Sequence, residues 1–201
     1  APAITAPPRK RPEALQERSD AMIRVKRVAF VGNSLPRRCG IATIPSSLQQ
    51  AGAAACPRLG PSIVAITAPG HIYAYPDSVR VEIDEGRPED YLAAAEILNS
   101  NQVDVVSLQH EFGIFGGEAG DYILPLLSRL TVSVVTTLHT VLAAPSDEQR
   151  RVMNEIIRLS GRVVVMAEKG RQLLREAYDA PAATIQVIAH GIPDVPFETP
   201  D

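Results

Sequence analysis

The feature that most restricts the fold of this sequence is an alternation of short, largely apolar runs with longer segments of helical period. Three of the runs are Val103–Val106, Val132–Val135 and Val163–Val165. A strand that is apolar on nearly every residue is covered on both faces, which is typical of a parallel sheet between helices. We predict seven strands, at Val25–Val31, Ser62–Thr67, Val79–Ile83, Val103–Leu108, Val132–Leu138, Arg162–Met166 and Thr184–Ile188.

The segments between these runs repeat their apolar residues with the 3.6-residue period of a helix. After Pro145, one helical face is apolar and the other polar; the apolar residues are Val152, Met153, Ile156 and Ile157. Ser146 supplies an N-cap to this helix, and Gly161 ends it. Alternating strands and helices predict an α/β domain with a doubly wound, mainly parallel sheet, helices on both faces and right-handed crossovers.

The composition resembles that of ordinary globular proteins and disfavours several classes of function. The 201 residues are 45% hydrophobic and 21% charged, with a net charge of −3. This charge and an aromatic content of 4% without Trp argue against a nucleic-acid partner. Cys39 and Cys56 form neither a disulfide framework nor a CxxC zinc motif. No run is long enough to span a bilayer and no signal peptide opens the chain, so we expect a cytoplasmic protein.

The first 23 residues differ from the rest of the chain. They are rich in proline and contain the basic run Arg9–Arg11. We expect residues 1–23 to form a flexible tail and residues 24–201 to form one domain. The alternative is a basic arm that touches the inner face of an anionic membrane, although Glu13, Glu17 and Asp20 weaken its field.

Four histidines follow predicted strands: His71, His110, His139 and His190. In a parallel α/β sheet the carboxyl ends of the strands share one edge, and ligands bind beyond that edge. We interpret His110, His139 and His190 as functional residues, because the loops at the other edge of the sheet carry no histidine. His71 is interpreted as an ordinary loop residue.

The loop after the first predicted strand contains Arg37, Arg38 and Gly40. It matches neither the GxGxxG dinucleotide motif nor a P-loop. Gly40 stands where the next helix is predicted to begin, and a glycine there lets an anion approach the free N–H groups of the helix. An ordinary turn with solvated arginines is the alternative. The position at the first strand–helix turn favours the anion site.

A second loop, Gln109–Glu118, contains the pair His110 and Glu111 and the glycines Gly116 and Gly117 before the next predicted helix. No second histidine stands at the HExxH spacing of zinc proteases. A metal site assembled in space is a minority interpretation. Its ligands would be Asp104, His110, Glu111, His139 and His190.

Together these stretches resemble the N-terminal domain of family 4 glycosyltransferases, which are retaining enzymes of GT-B type with two facing Rossmann-like domains. The resemblance runs from about Arg27 to Phe197 and rests on the order and spacing of several pieces. They are Val28–Gly32 with Arg38–Thr43, Gln109–Gly117, Thr136–Thr140 and His190–Pro193.

The resemblance implies a role for each candidate residue. Arg38 and Gly40 would face the diphosphate of the donor, and His139 would contact the reacting sugar. The acceptor side would consist of His110, Glu111, Gly116 and Gly117. His190 and Gly191 would lie at the hinge and cleft between the domains. The substrates would be a nucleotide sugar carrying a hexose, such as mannose, and a glycan or lipid-linked acceptor, with no metal or other cofactor.

The sequence departs from the family because the chain ends at Asp201, where the linker to a second domain is expected. In the family, that C-terminal domain makes most contacts to the nucleotide sugar. We therefore expect the 201 residues to be inactive alone. Two alternatives remain: a non-catalytic module that binds a glycan or a protein, and a metal-dependent hydrolase that uses the histidine edge.

Overall fold

The computed structural model describes residues 25–191, which form one α/β domain. The strands are β1 (Arg27–Gly32), β2 (Gly60–Thr67), β3 (Val79–Asp84), β4 (Val105–His110), β5 (Ser133–Leu138), β6 (Arg162–Val165) and β7 (Ile185–Val187). The α-helices are α1 (Thr43–Ala55), α2 (Pro88–Ser100), α3 (Ile123–Arg129), α4 (Asp147–Leu159) and α5 (Glu168–Ala177). Short 3₁₀ turns occupy Glu118–Gly120 and Ala182–Thr184.

The sheet has the strand order β3-β2-β1-β4-β5-β6-β7, and every pair of neighbours is parallel. All seven predicted strands are confirmed, with ends that shift by at most two residues. The strand order reverses between β1 and β4, because the chain builds outward from β1 in one direction and from β4 in the other. This reversal is the switch point at which ligands bind in open α/β sheets.

The principal core lies between the sheet and the helices α2, α3 and α4. Ala29 and Val31 of β1 point into this core, whereas Phe30 points to the other face, where it packs with Ile63 and Ala65 of β2. Helix α1 crosses from β1 to β2, opposite in direction to the crossover of α2 from β3 to β4. Right-handed crossovers therefore place α1 on the second face. The predicted doubly wound sheet with helices on both faces is confirmed.

The helices begin and end for the local reasons that the sequence indicates. Ser146 caps α4 in a reciprocal capping box with Gln149, and Pro88 occupies the first turn of α2, where no N–H partner is needed. The apolar residues predicted to line α4 are all buried: Val152, Met153, Ile156 and Ile157. No helix within residues 25–191 is long and apolar enough to cross a membrane. The predictions for residues 1–23 and for the end of the chain lie outside the described residues.

Candidate functional site

The parallel sheet brings all four histidines to its carboxyl edge. His110 is the last residue of β4, and His139 follows β5 directly. The loops after β7 and β2 carry His190 and His71. Because β4 and β5 are neighbours in register, His139 N–H donates to the His110 carbonyl at 2.9 Å.

His110 is a buried, neutral side chain. Its ring lies edge-to-face with Phe112, at 5.1 Å between centroids, and stacks on Phe115 at 5.9 Å. Burial lowers the pKa of His110 to about 3, and the neighbouring His139 adds to the effect. Nδ1 has no hydrogen-bond partner among the described residues. At neutral pH this imidazole is uncharged, so it forms a wall of the site and carries no charge to a ligand.

His139 is half-buried and is held by Gln109. The Gln109 amide donates from Nε2 to Ser107 Oγ at 3.0 Å, which turns its Oε1 toward His139 Nε2 at 3.1 Å. This contact assigns the proton to Nε2 and leaves Nδ1 as an acceptor. Burial lowers the pKa of His139, Glu111 opposes that shift, and His190 adds to it. The imidazole is therefore a positioned, neutral hydrogen-bonding group.

Glu111 is fixed by two hydrogen bonds beside this pair. Its Oε1 accepts from the Phe112 N–H at 2.8 Å, and its Oε2 accepts from Thr140 Oγ1 at 2.7 Å. His190 and Gly191 are exposed, and the His190 ring contacts the Gly191 carbonyl at 2.6 Å. The structure thus brings four of the predicted residues together with Gln109. We call this group the histidine cluster: Gln109, His110, Glu111, His139 and His190.

Gly116 and Gly117 have a structural reason to be glycines. A Cβ on Gly116 would overlap the Glu85 carbonyl and lie 2.7 Å from Tyr122 Cδ2. The Tyr91 hydroxyl accepts from the Gly116 N–H and donates to the Glu85 carbonyl, both at 3.2 Å. Burial raises the pKa of Tyr91 to about 12, so this hydroxyl keeps its proton. Gly117 has a φ of +84°, which favours glycine. Both residues let the Gln109–Glu118 loop pack closely; contact with an acceptor stays a prediction.

The loop after β1 differs in part from the prediction. Helix α1 begins at Thr43, three residues beyond Gly40, because turns closed by the Cys39 and Ile41 carbonyls precede it. Gly40 has open space where a Cβ would stand, and Arg38 is exposed. The N-terminus of α1 has no side-chain cap and no acidic residue in its first turn. These features leave room for the predicted anion, but Ile44 already donates its N–H to the Ile41 carbonyl and Pro45 has no N–H, so these two residues offer the anion no backbone donor.

Arg37 has a structural role that separates it from Arg38. Its guanidinium donates to the Ile66 carbonyl at 3.1 Å and to Glu85 Oε2 at 3.0 Å, and both side chains of the ion pair are largely buried. Arg37 therefore ties the loop after β1 to the ends of β2 and β3.

Two buried polar residues at the switch point were missed by the sequence analysis. Asn33 and Ser34 follow β1 directly and are almost inaccessible to solvent. Asn33 Nδ2 contacts Cys39 Sγ at 3.1 Å, but Asn33 Oδ1 and Ser34 Oγ have no partner within residues 25–191. Polar residues immediately after an apolar strand are the signal that could have identified them. Gln109 was likewise named only as part of its loop.

Asp104 lies apart from the other ligands of the metal interpretation. Asp104 accepts the N–H groups of Lys26 and Arg27, which lie at the amino edge of the sheet, opposite the histidines. No group of three or more His, Cys, Asp or Glu side chains within residues 25–191 is arranged to hold a metal ion.

A wide groove of about 1240 Å³ lies away from the histidine cluster, between α3 and α4, and none of the predicted site residues lines it.

Comparison with known proteins identifies the class of fold. No protein-family model and no curated protein matches the sequence. Among solved structures, a glycosyltransferase from Rickettsia africae ESF-5 is 18% identical with a TM-score of 0.56, over 84% of this chain and 44% of that one. An alpha-glucosyltransferase in complex with UDP and DNA is 16% identical with a TM-score of 0.52, over 79% and 41%.

A UDP-GlcNAc 2-epimerase from Methanocaldococcus jannaschii is 13% identical with a TM-score of 0.51, over 80% of this chain and 45% of that one. These likenesses define the chain as a Rossmann-like α/β domain of GT-B type. The chain spans less than half the length of each of these three proteins.

Proposed function

We propose that this chain is the acceptor-side domain of a retaining glycosyltransferase that resembles family 4. The enzyme would transfer a hexose, such as mannose, from a nucleotide sugar to a glycan or lipid-linked acceptor. The observation that carries the proposal is the position of the histidine cluster. The histidine cluster lies at the carboxyl ends of β4 and β5 in a fold of GT-B type, next to the switch point between β1 and β4.

His139 is the residue that we assign to the reacting sugar. Retaining transfer passes through an oxocarbenium-like state, which a positioned hydrogen-bonding group stabilises without a change in its own charge. The Gln109 contact at 3.1 Å and the lowered pKa make His139 such a group. Within residues 25–191 the ring contact of His139 is made through Nε2, so its Nδ1 can accept a hydrogen bond from a hydroxyl of the donor hexose.

The N-terminus of α1 is the element that we assign to the departing diphosphate. Negative charge grows on this group as the glycosidic bond breaks, and the dipole of a helix N-terminus together with a basic side chain stabilises an anion. The open space at Gly40 and the exposed Arg38 support this assignment. Arg37 does not take part, because Glu85 already holds its guanidinium.

The acceptor would approach from the loop after β4. His110 and Glu111 would line this side, because one forms an apolar wall with Phe112 and Phe115 and the other offers a fixed carboxylate. Gly116 and Gly117 would shape the same loop. His190 and Gly191, which are exposed beyond β7, would face the cleft toward a second domain.

The donor-binding domain is proposed to lie on further polypeptide, since the chain spans 44% of the Rickettsia africae glycosyltransferase. The test compares the product of the native gene with the 201-residue chain. We expect an intact mass near twice that of this chain, and release of nucleoside diphosphate from a panel of nucleotide sugars by the native product alone. Turnover by the 201 residues alone would refute the assignment of donor binding to a second domain. A native product without turnover that binds glycans would favour the non-catalytic module.

A further inference from the structure

A row of aromatic rings lies in the loop between β2 and β3, where His71 is exposed and Tyr73 and Tyr75 are half-buried. His71 and Tyr73 are nearly parallel, with 13° between planes and 5.8 Å between centroids, and Tyr73 lies 5.5 Å from Tyr75 at 53°. The side chain of Ile72, between the first two rings, is fully exposed. We call His71, Tyr73 and Tyr75 the aromatic platform. Aromatic and aliphatic groups displayed in this way are typical of a binding surface.

The platform is anchored at both ends. Tyr75 packs against the cluster of Phe30 and Ile63, and its hydroxyl lies 3.1 Å from Thr67 Oγ1 at the end of β2. At the other end, the His71 ring contacts the Pro69 carbonyl through Nδ1 at 3.1 Å. Rings that are already held in place lose little conformational entropy when a ligand binds.

The platform begins at the same edge of the sheet as the histidine cluster and continues over the face that Phe30 and Ile63 share. Its loop leaves the carboxyl end of β2, on the other side of β1 from β4. Neighbouring strands are about 4.8 Å apart, so β2 and β4 are separated by roughly 10 Å. His110 itself is buried, but Glu111 follows it directly and is partly exposed. A ligand of two or more sugar units that contacted Glu111 could therefore also rest on the platform.

The charges around the platform restrict the chemistry of its ligand. Residues 68–78 include no lysine or arginine, and Asp77 is their single charged residue. Arg37, whose charge acts on Tyr75, is paired with Glu85. Lysine and arginine supply much of the free energy with which proteins bind phosphates, so nucleotides and nucleic acid are disfavoured here. The C–H groups of a neutral sugar carry a small positive charge and match the negative faces of aromatic rings.

We propose that the aromatic platform stacks against a pyranose ring of the acceptor, at a subsite beyond the reacting sugar. The proposal rests on the proposed function, because it assigns a neutral glycan to the acceptor side of that site. It also gives His71 a role, where the sequence interpretation gave it none.

The test measures glycan binding without any donor. Saturation-transfer NMR would be recorded on the native gene product with gluco-, galacto- and manno-configured trisaccharides. The key variant is Tyr73→Ala, because Tyr73 contributes a partly exposed ring, whereas Tyr75 packs against the cluster of Phe30 and Ile63. Tyr73→Phe keeps the ring, and Ile97→Ala removes an exposed apolar side chain from α2, away from the platform.

We expect the native product to bind at least one trisaccharide, with saturation transferred to the C–H protons of a pyranose ring. Tyr73→Ala is expected to weaken this binding about tenfold, near the lower end of measured stacking losses. The Tyr73→Phe and Ile97→Ala variants should bind as the native product does. Trisaccharide binding by Tyr73→Ala equal to that of the native product, or no binding of any trisaccharide, would refute the proposed sugar subsite on the aromatic platform. Glycan binding that depends on Tyr73 in a protein without turnover would retain the platform and refute the transferase.

Discussion

Replacing Gly116 with alanine tests the packing that shapes the proposed acceptor loop. The new Cβ overlaps the Glu85 carbonyl, so the loop must move away from the end of β3. That movement breaks the two hydrogen bonds of the buried Tyr91 hydroxyl, to the Gly116 N–H and to the Glu85 carbonyl. Each lost bond costs about 1 kcal/mol, and an unsatisfied buried group costs about 1 kcal/mol more. We therefore expect the free energy of unfolding to fall by about 3 kcal/mol.

The measurement is urea denaturation followed by far-UV circular dichroism, with thermal melting as a second readout. For a chain of this size, a loss of about 3 kcal/mol lowers Tm by roughly 6–12 °C. Gly40→Ala is the matched control, because no heavy atom lies within 4 Å of its added Cβ. It should change stability by less than about 0.5 kcal/mol. The reasoning is refuted if Gly116→Ala is as stable as the control.

Three further predictions follow from the contacts around the site. Arg37→Ala should lower the free energy of unfolding by about 2 kcal/mol, because the charge-assisted hydrogen bonds of its guanidinium are lost. Arg38 is exposed, so Arg38→Ala should leave the free energy of unfolding unchanged. Equal stability of the two variants in urea denaturation would contradict this prediction. The second prediction concerns pH: in the unfolded chain the His110 imidazole binds a proton below about pH 6.5, whereas in the folded protein its pKa is about 3. The unfolded state therefore binds more protons than the folded state between these values. The free energy of unfolding should fall by about 1.4 kcal/mol per pH unit as the pH drops below about 6.5. Urea midpoints from pH 7 to pH 4 would measure this slope, and a His110→Gln variant with the same slope would contradict the assignment. Gln109→Glu should raise the pKa of His139, because a neighbouring carboxylate favours the charged imidazolium. NMR titration of the imidazole C–H signals measures this pKa, and an unchanged pKa in the variant would show that the Gln109 contact is absent.

The fold was predictable because parallel strands covered on both faces leave a strong apolar signal. The ends of the strands were less predictable. β4 extends to His110 because the hydrogen-bonding ladder with β5 continues through Gln109 and His110, opposite Thr137 and Leu138. Hydrophobicity does not record that ladder, so the prediction ended at Leu108. The start of α1 was displaced because Ala42 offers no side-chain cap and a backbone turn stands in its place.

The place of the candidate residues in the fold was predictable, but the contacts between them were not. Parallel strands place His110 and His139 at one edge, which the order of elements alone establishes. The contact between Gln109 and His139 depends on the register of β4 against β5, and a sequence does not contain that register. Position 116 requires glycine because the Glu85 carbonyl, about thirty residues away in the chain, occupies the space of a Cβ. This contact forms only when the two loops pack together.

The central claim is that His139 belongs to the active site of a sugar transferase. The measurement that tests it most directly is the turnover of a nucleotide sugar by the native gene product, compared with its His139→Ala variant. Glu96→Gln, on the exposed face of α2, is the surface control. We expect His139→Ala to lower kcat by about a hundredfold or more, in line with the loss of one transition-state hydrogen bond, while the control stays fully active. The lost contact to the buried Gln109 should lower the free energy of unfolding by only about 1–3 kcal/mol, so the variant should still fold. Equal turnover by wild type and His139→Ala would contradict the account.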